Sequence, residues 1–389
     1  MVNADSPTVN AGSPTVSAHA YPWDVLGDPA FADRVRAAGI DSVTLAVTYH
    51  STRAATPLHP GRRFVHARHA ALYRPVRPGP WSGRRLVPAG ADWVDGPDPA
   101  GAAVAALAAE GVPVSAWLVL AHNSRLGILH PSLAVTNCFG ESYPYALCPG
   151  HREVREFCAT LAAEALHGLP PGAVQAVSLE SAGQLGAAHA GCHEKTDGAY
   201  PAAVLRALSV CCCGACREGW RQSGLDADEV LVLLRQAART DGPGLPREVA
   251  DVLLRLRHAA ADALRGAVLA AVREALPEAS VTLHAHPDPW ATGPSPGLTD
   301  RAAAEVDSLL VPCWPTGPAT AELVRRAAGR GPAVGAYVTA LPPADPALLP
   351  GHVRRLRAAG ASRLSLYHLG LLPAGRLPLL ADLAKEFRS

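Results

Sequence analysis

The chain has 389 residues, 49% of them apolar and 18% charged, with a formal net charge of +1. That balance excludes the basic footprint of a nucleic-acid binder and of a protein drawn to an anionic membrane. No apolar run reaches the roughly 18 residues that a membrane-spanning helix needs.

Residues 1–16 repeat Ser-Pro-Thr-Val, from Ser6 and again from Ser13, and lack the basic start and apolar middle of an export signal. They are expected to form a disordered tail. Beyond them, strand-length apolar runs alternate with helix-length segments. Strands are predicted at 17–22, 42–49, 112–121, 174–180, 280–286, 307–313, 333–339 and 362–368. Helices are predicted at 29–38, 98–110, 151–167, 246–275, 317–329, 346–359 and 372–387, with further helix at 217–240 in the fourth unit. Alternating strand and helix imply parallel pairing, and eight such units imply closure. The predicted fold class is therefore α/β, a single (β/α)8 TIM barrel over residues 17–389. Gly39 and Gly360 fall just past predicted helices, where a left-handed cap residue belongs.

Alternation along the strands sorts their faces. Val177 and Leu179 are expected to pack under helices, which leaves Ser178 and Glu180 pointing inward. Val281, Leu283 and Ala285 likewise leave Thr282, His284 and His286 inward, and the seventh strand sends Tyr337 and Thr339 inward. Polar inward residues thus gather at the C-terminal strand ends, where barrel enzymes build their sites. Two long excursions, 50–97 and 181–220, follow strands and so belong to that same face.

Five of the nine cysteines lie between Cys192 and Cys216. Such clustering in a large chain without an export signal argues for metal rather than disulfides, and for a cytoplasmic location. Cys211, Cys213 and Cys216 form a Cys-x-Cys-x-x-Cys turn suited to tetrahedral Zn2+. The fourth ligand has to come from elsewhere, with Cys148, Cys192 and His193 as candidates, and Cys212 is expected to point away. An all-thiolate site is closed, so the zinc would be structural.

This cysteine turn after the fourth strand, with an earlier Cys148-Pro149 before a helix, resembles the zinc cluster of family 42 β-galactosidases and of related hypothetical glycosyl hydrolases. The specific motifs span residues 148–216. The resemblance implies a glycosidase-like hydrolase in which Cys148 is the remote ligand and Glu180, ending the fourth strand, is the general acid/base. It also implies a glutamate at the end of the seventh strand. Here that strand reads Gly-Ala-Tyr-Val-Thr-Ala-Leu and ends near Thr339 without an acid. Asp288, beyond the fifth strand, is the nearest substitute, and Asp24 and Asp300 are further options.

A carbohydrate substrate, either a small glycoside or an oligosaccharide, would meet His50, His122, Asn123, His284, His286, Trp314, Tyr337 and His368, all at or near strand ends. Aromatic faces stack on sugar rings, and histidines bond hydroxyls. Two other readings compete with a glycosidase: a carbohydrate-binding barrel without catalysis, and a metal-dependent hydrolase using His284 and His286. The sequence leaves the oligomeric state open.

Overall fold

A computed structural model describes residues 13–189, 195–196, 198–239 and 241–389. Eight strands run in chain order: β1 (Thr15–Ala20), β2 (Ser42–Tyr49), β3 (Val114–Val119), β4 (Val174–Glu180), β5 (Ser280–His284), β6 (Ser308–Pro312), β7 (Ala333–Thr339) and β8 (Arg363–Tyr367). Each pairs in parallel with the next. β8 returns to β1, from Thr15↔Arg363 to Ala18↔Leu366, and closes the barrel. β1 begins at Thr15, inside the segment expected to be a tail, and residues 1–12 lie outside the described residues.

The outward strand residues are the branched and small apolar ones. Val177, Leu179, Val334, Val338, Leu364 and Leu366 are buried beneath the helices that follow each strand. Seven of these helices match the predicted ones within a few residues: Phe31–Ala37, Pro99–Ala109, Arg152–Leu166, Arg247–Ala275, Pro318–Ala328, Leu349–Ala358 and Leu377–Arg388. The fifth unit holds only the one-turn helix Ala302–Glu305. Gly39 and Gly360 take φ of +63° and +107° just past their helices, as the caps require.

Three excursions, rather than the two expected, stand on the C-terminal face. The first carries the hairpin Thr52–Ala55 with Phe64–Ala67. The second, between β3 and its helix, holds the helix Ser124–Leu129 and the hairpin Ala134–Thr136 with Ser142–Leu147. The third places Ala202–Leu208, Gly214–Gln222 and Ala227–Ala237 against the long helix Arg247–Ala275. Trp220, Leu234 and Leu253 form a satellite core there. The predicted helix 217–240 is thus two helices, separated at Gly224, whose φ is +82°.

Candidate functional site

Glu180 ends β4 with 4% of its surface exposed. Its Oε2 accepts the Trp117 Nε1–H from β3 at 2.9 Å and lies 3.7 Å from His284 Nδ1 on β5. The other ring nitrogen of His284 meets Ser178 Oγ at 3.0 Å, so β4 holds this imidazole at one end and faces it at the other. Burial drives the pair toward neutrality from both sides. It pushes the Glu180 carboxyl up to about 8, opposed by the Trp117 bond, and pulls His284 down to about 3. Nδ1 of His284 has no hydrogen-bond partner.

Tyrosines surround this pair. Tyr337 of β7 packs 5.4 Å from His284, and Tyr49 of β2 packs 4.8 Å from Trp117. The Tyr367 hydroxyl on β8 lies 3.3 Å from that of Tyr21 and 3.5 Å from that of Tyr49. His19 of β1 fills the space between Trp117 and Tyr337, at 4.5 and 4.7 Å. Burial raises the phenol pKa of Tyr49, Tyr337 and Tyr367, and the Glu180 carboxylate adds to each shift.

A second carboxyl–imidazole pair mirrors the first. Asp24 Oδ2 accepts the Tyr21 N–H at 2.8 Å and lies 3.8 Å from His368 Nδ1, just beyond β8. Burial raises Asp24 to about 8 and lowers His368 to about 3. A side chain at Gly370 would run into the Asp24 carboxyl, so this glycine lets the chain close over it. Tyr367 feels both Glu180 and Asp24.

The remaining predicted residues have other partners. Asp288 Oδ1 accepts the Trp290 N–H at 3.0 Å, and its Oδ2 pairs with Arg206 at 3.6 Å. His286 lies past the end of β5, so strand alternation does not reach it. Its Nδ1 accepts the Asp288 N–H at 3.0 Å, far from any shared role with His284 in the observed bonding. Asn123 caps the helix Ser124–Leu129 by accepting the Leu126 N–H at 3.0 Å. His50 stacks on Tyr49 and His122, and His122 Nε2 meets His189 Nε2 at 3.0 Å. Trp314 is 43% exposed beside Tyr337 and Tyr367. β7 ends on Thr339, whose Oγ1 accepts the Leu341 N–H at 3.2 Å. Asp300 is paired with Arg330 at the surface.

Among the described residues, one group has the geometry to hold a metal ion: Cys148, Cys211, Cys213 and Cys216, whose sulfurs all lie within 4.8 Å of one another. Cys148 Sγ is 3.6 Å from Cys216 Sγ and 3.8 Å from Cys213 Sγ. Thiolates bound tetrahedrally at the usual 2.3 Å would be about 3.8 Å apart, so the spacing suits zinc. The backbone prepares the site: Gly150 N–H donates to Cys148 Sγ at 3.4 Å, and a Cβ at Gly150 would sit 3.3 Å from both the Cys148 and Cys216 sulfurs. Cys212 turns away into the satellite core, its Sγ donating to Val210 O. Cys192 and His193 lie outside the described residues.

The closed barrel is an architecture shared with glycoside hydrolases. An α-L-fucosidase from Paenibacillus thiaminolyticus superposes with TM-score 0.60 at 12% identity, over 96% of this chain and 49% of the fucosidase. A β-galactosidase from Marinomonas ef1 gives 0.59 at 14% identity, over 95% and 59%. A GH42 β-galactosidase from G. stearothermophilus, of the family that the cysteine spacing resembles, gives 0.57 at 11% identity, over 97% and 56%. This chain thus spans about half the length of these neighbours, and the likeness shows the fold. No protein-family model and no curated protein matches the sequence.

Proposed function

We propose that this barrel hydrolyses a glycoside, either a small molecule or an oligosaccharide, with Glu180 as general acid and a structural zinc in the four-cysteine centre. The observation that carries the reading is the state of Glu180. It is a buried carboxyl at the C-terminal end of β4, held by Trp117 and ringed by Tyr49, Tyr337 and Tyr367, and burial pushes its pKa up to about 8. A carboxyl that keeps its proton at neutral pH can donate it to a leaving oxygen.

Hydrolysis of a glycoside usually needs a second carboxylate. Asp288 has both oxygens engaged, by Arg206 and by the Trp290 backbone. Asp24 is the other buried carboxyl near the strand ends, beside His368, and would have to ionise, against a pKa raised to about 8, to take the role. The absence of an acid at the end of β7 favours a second reading, a barrel that binds sugar without cleaving it.

The test is turnover of a panel of aryl glycosides and oligosaccharides by the wild type, Glu180→Gln, Asp24→Asn and Asp288→Asn. A loss of at least about a hundredfold in Glu180→Gln is expected, in line with the contribution of a general acid. Equal turnover by wild type and Glu180→Gln would remove Glu180 from the chemistry. Sugar binding without turnover in any of the four would establish the second reading.

A further inference from the structure

The four-cysteine centre borders a cavity of about 450 Å³ between the cysteine turn and the long helix Arg247–Ala275, lined in part by Cys211, Cys216, Arg155 and Arg257. Arg257 is buried, with 8% of its surface exposed. Among the described residues no carboxylate lies within ion-pair distance of it. Its Nη1 has no hydrogen-bond partner, and its Nη2 donates only to Trp290 O, at a long 3.4 Å. Its guanidinium lies 5.1 Å from the centre of the Trp290 ring. Asp288, the nearest acid in sequence to Trp290, is paired with Arg206 instead. Arg155, the other arginine of this wall, donates its Nη1 to Pro149 O and Gly150 O, directly after Cys148.

A buried cation without an anion is strongly destabilising, so a native protein supplies an opposing charge. Glu218 also lines this cavity but is exposed and paired with Arg221 at 3.4 Å, so the buried anionic centre on the wall is the cysteine cluster. Four thiolates around a dipositive ion carry a formal charge of about −2, and a bound ion and its ligands are often the largest charge in their surroundings. Burial pushes the Arg257 pKa down to about 10 and Arg206 adds to that shift, while Cys216, Cys211 and, less strongly, Asp288 oppose it.

We propose that Arg257 is the buried counter-cation of the metal-loaded thiolate centre, and that it ties this centre to the loop after β5 through Trp290. The proposal rests on the reading that Cys148, Cys211, Cys213 and Cys216 bind a dipositive metal. It deepens that reading by giving the centre a partner on the long helix and a mechanical link to the barrel mouth.

The consequence is a change of sign. When the metal leaves, the thiols take up protons, and Arg257 loses the counter-charge of the centre. Arg257→Met, which keeps the length and drops the charge, should therefore lower the Tm of the loaded protein and raise the Tm of the stripped protein. It should also speed metal release to a chelator by about tenfold to a hundredfold, the range for losing a group that supports metal ligands. Arg257→Lys should behave like the wild type, and so should Arg255→Met, an exposed change on the same helix.

The experiment measures metal content of the full chain by emission spectrometry, then Tm and chelator release for each variant, loaded and stripped. Opposite Tm shifts with faster release support the proposal. Shifts of the same sign in both states, or release at the wild-type rate, overturn it and leave Arg257 a packing residue. A variant that folds in neither state also overturns it, because the stripped form is expected to gain. A wild type that carries no metal and takes up no added zinc(II) removes the centre itself, which the metal assay reports separately from the Arg257 result.

Discussion

At the scale of single residues, the informative feature is protonation. Glu180 is held at about 8 by burial, against 4.5 for an ordinary glutamate, and Asp24 is displaced the same way. In the folded protein such a carboxyl keeps a proton that the unfolded chain has already released. Stability therefore falls as pH climbs from about 4.5 toward about 8, and levels off once the native carboxyl ionises too. Each unit of displacement is worth about 1.4 kcal/mol, so the Glu180 contribution is on the order of a few kcal/mol. Gln at this position would still accept the Trp117 bond and would carry no charge. Glu180→Gln should match the wild type in Tm at pH 4.5 and exceed it by several degrees at pH 8. Scanning calorimetry across that range reads the difference directly, and parallel curves would mean that the native carboxylate is ionised and solvated.

At the scale of elements, the barrel strands were legible because each carries apolar residues over a short run bounded by turn residues. In β4 and β7 the polar residues fall on alternate positions, so Ser178, Glu180 and Tyr337 could be placed inward. Trp117 was missed because all six residues of β3 are buried, which erases the period of two that would have marked its inward face. Asn123 was read as a ligand for substrate because it follows a strand, although its bond to Leu126 N–H shows a helix cap. The excursion between β3 and its helix was overlooked because its hairpin strands are short and leave no periodic sequence signal. Yet that hairpin delivers Cys148: Leu147 N–H bonds Ala121 O, and Cys148 N–H bonds Leu133 O. The cysteine spacing, by contrast, was legible because metal geometry constrains it. Since the centre joins the hairpin Ser142–Leu147 to the helix Gly214–Gln222, removing the metal should loosen those two elements first. Amide hydrogen exchange after chelation should rise in both while β1–β8 stay protected. Uniform deprotection of the barrel would show instead that the centre supports the whole fold.

At the scale of the whole molecule, closure is what places Glu180, at the end of β4, and Asp24, just after β1, around one tyrosine cluster, because Tyr367 on β8 comes beside β1 only when the barrel closes. Ser17 Oγ on β1 meets Ser365 Oγ on β8 at 3.0 Å across that seam. The last helix, Leu377–Arg388, covers it from outside and buries Leu380, Leu383, Ala384 and Phe387. Arg388 adds a bond to Gly39 O and an ion pair with Asp41, both at the surface. Apolar burial should outweigh the ion pair here. Phe387→Ala removes a fully buried ring and should cost about 3–5 kcal/mol, whereas Arg388→Ala should cost less than about 1 kcal/mol. Denaturant unfolding distinguishes two ways in which the seam can fail. If the barrel is one cooperative unit, Phe387→Ala lowers the midpoint and leaves the slope unchanged. A lower slope would mean that the last helix detaches on its own, and the pairing of β1 with β8 would then have to hold the two carboxyl–imidazole pairs in register without it.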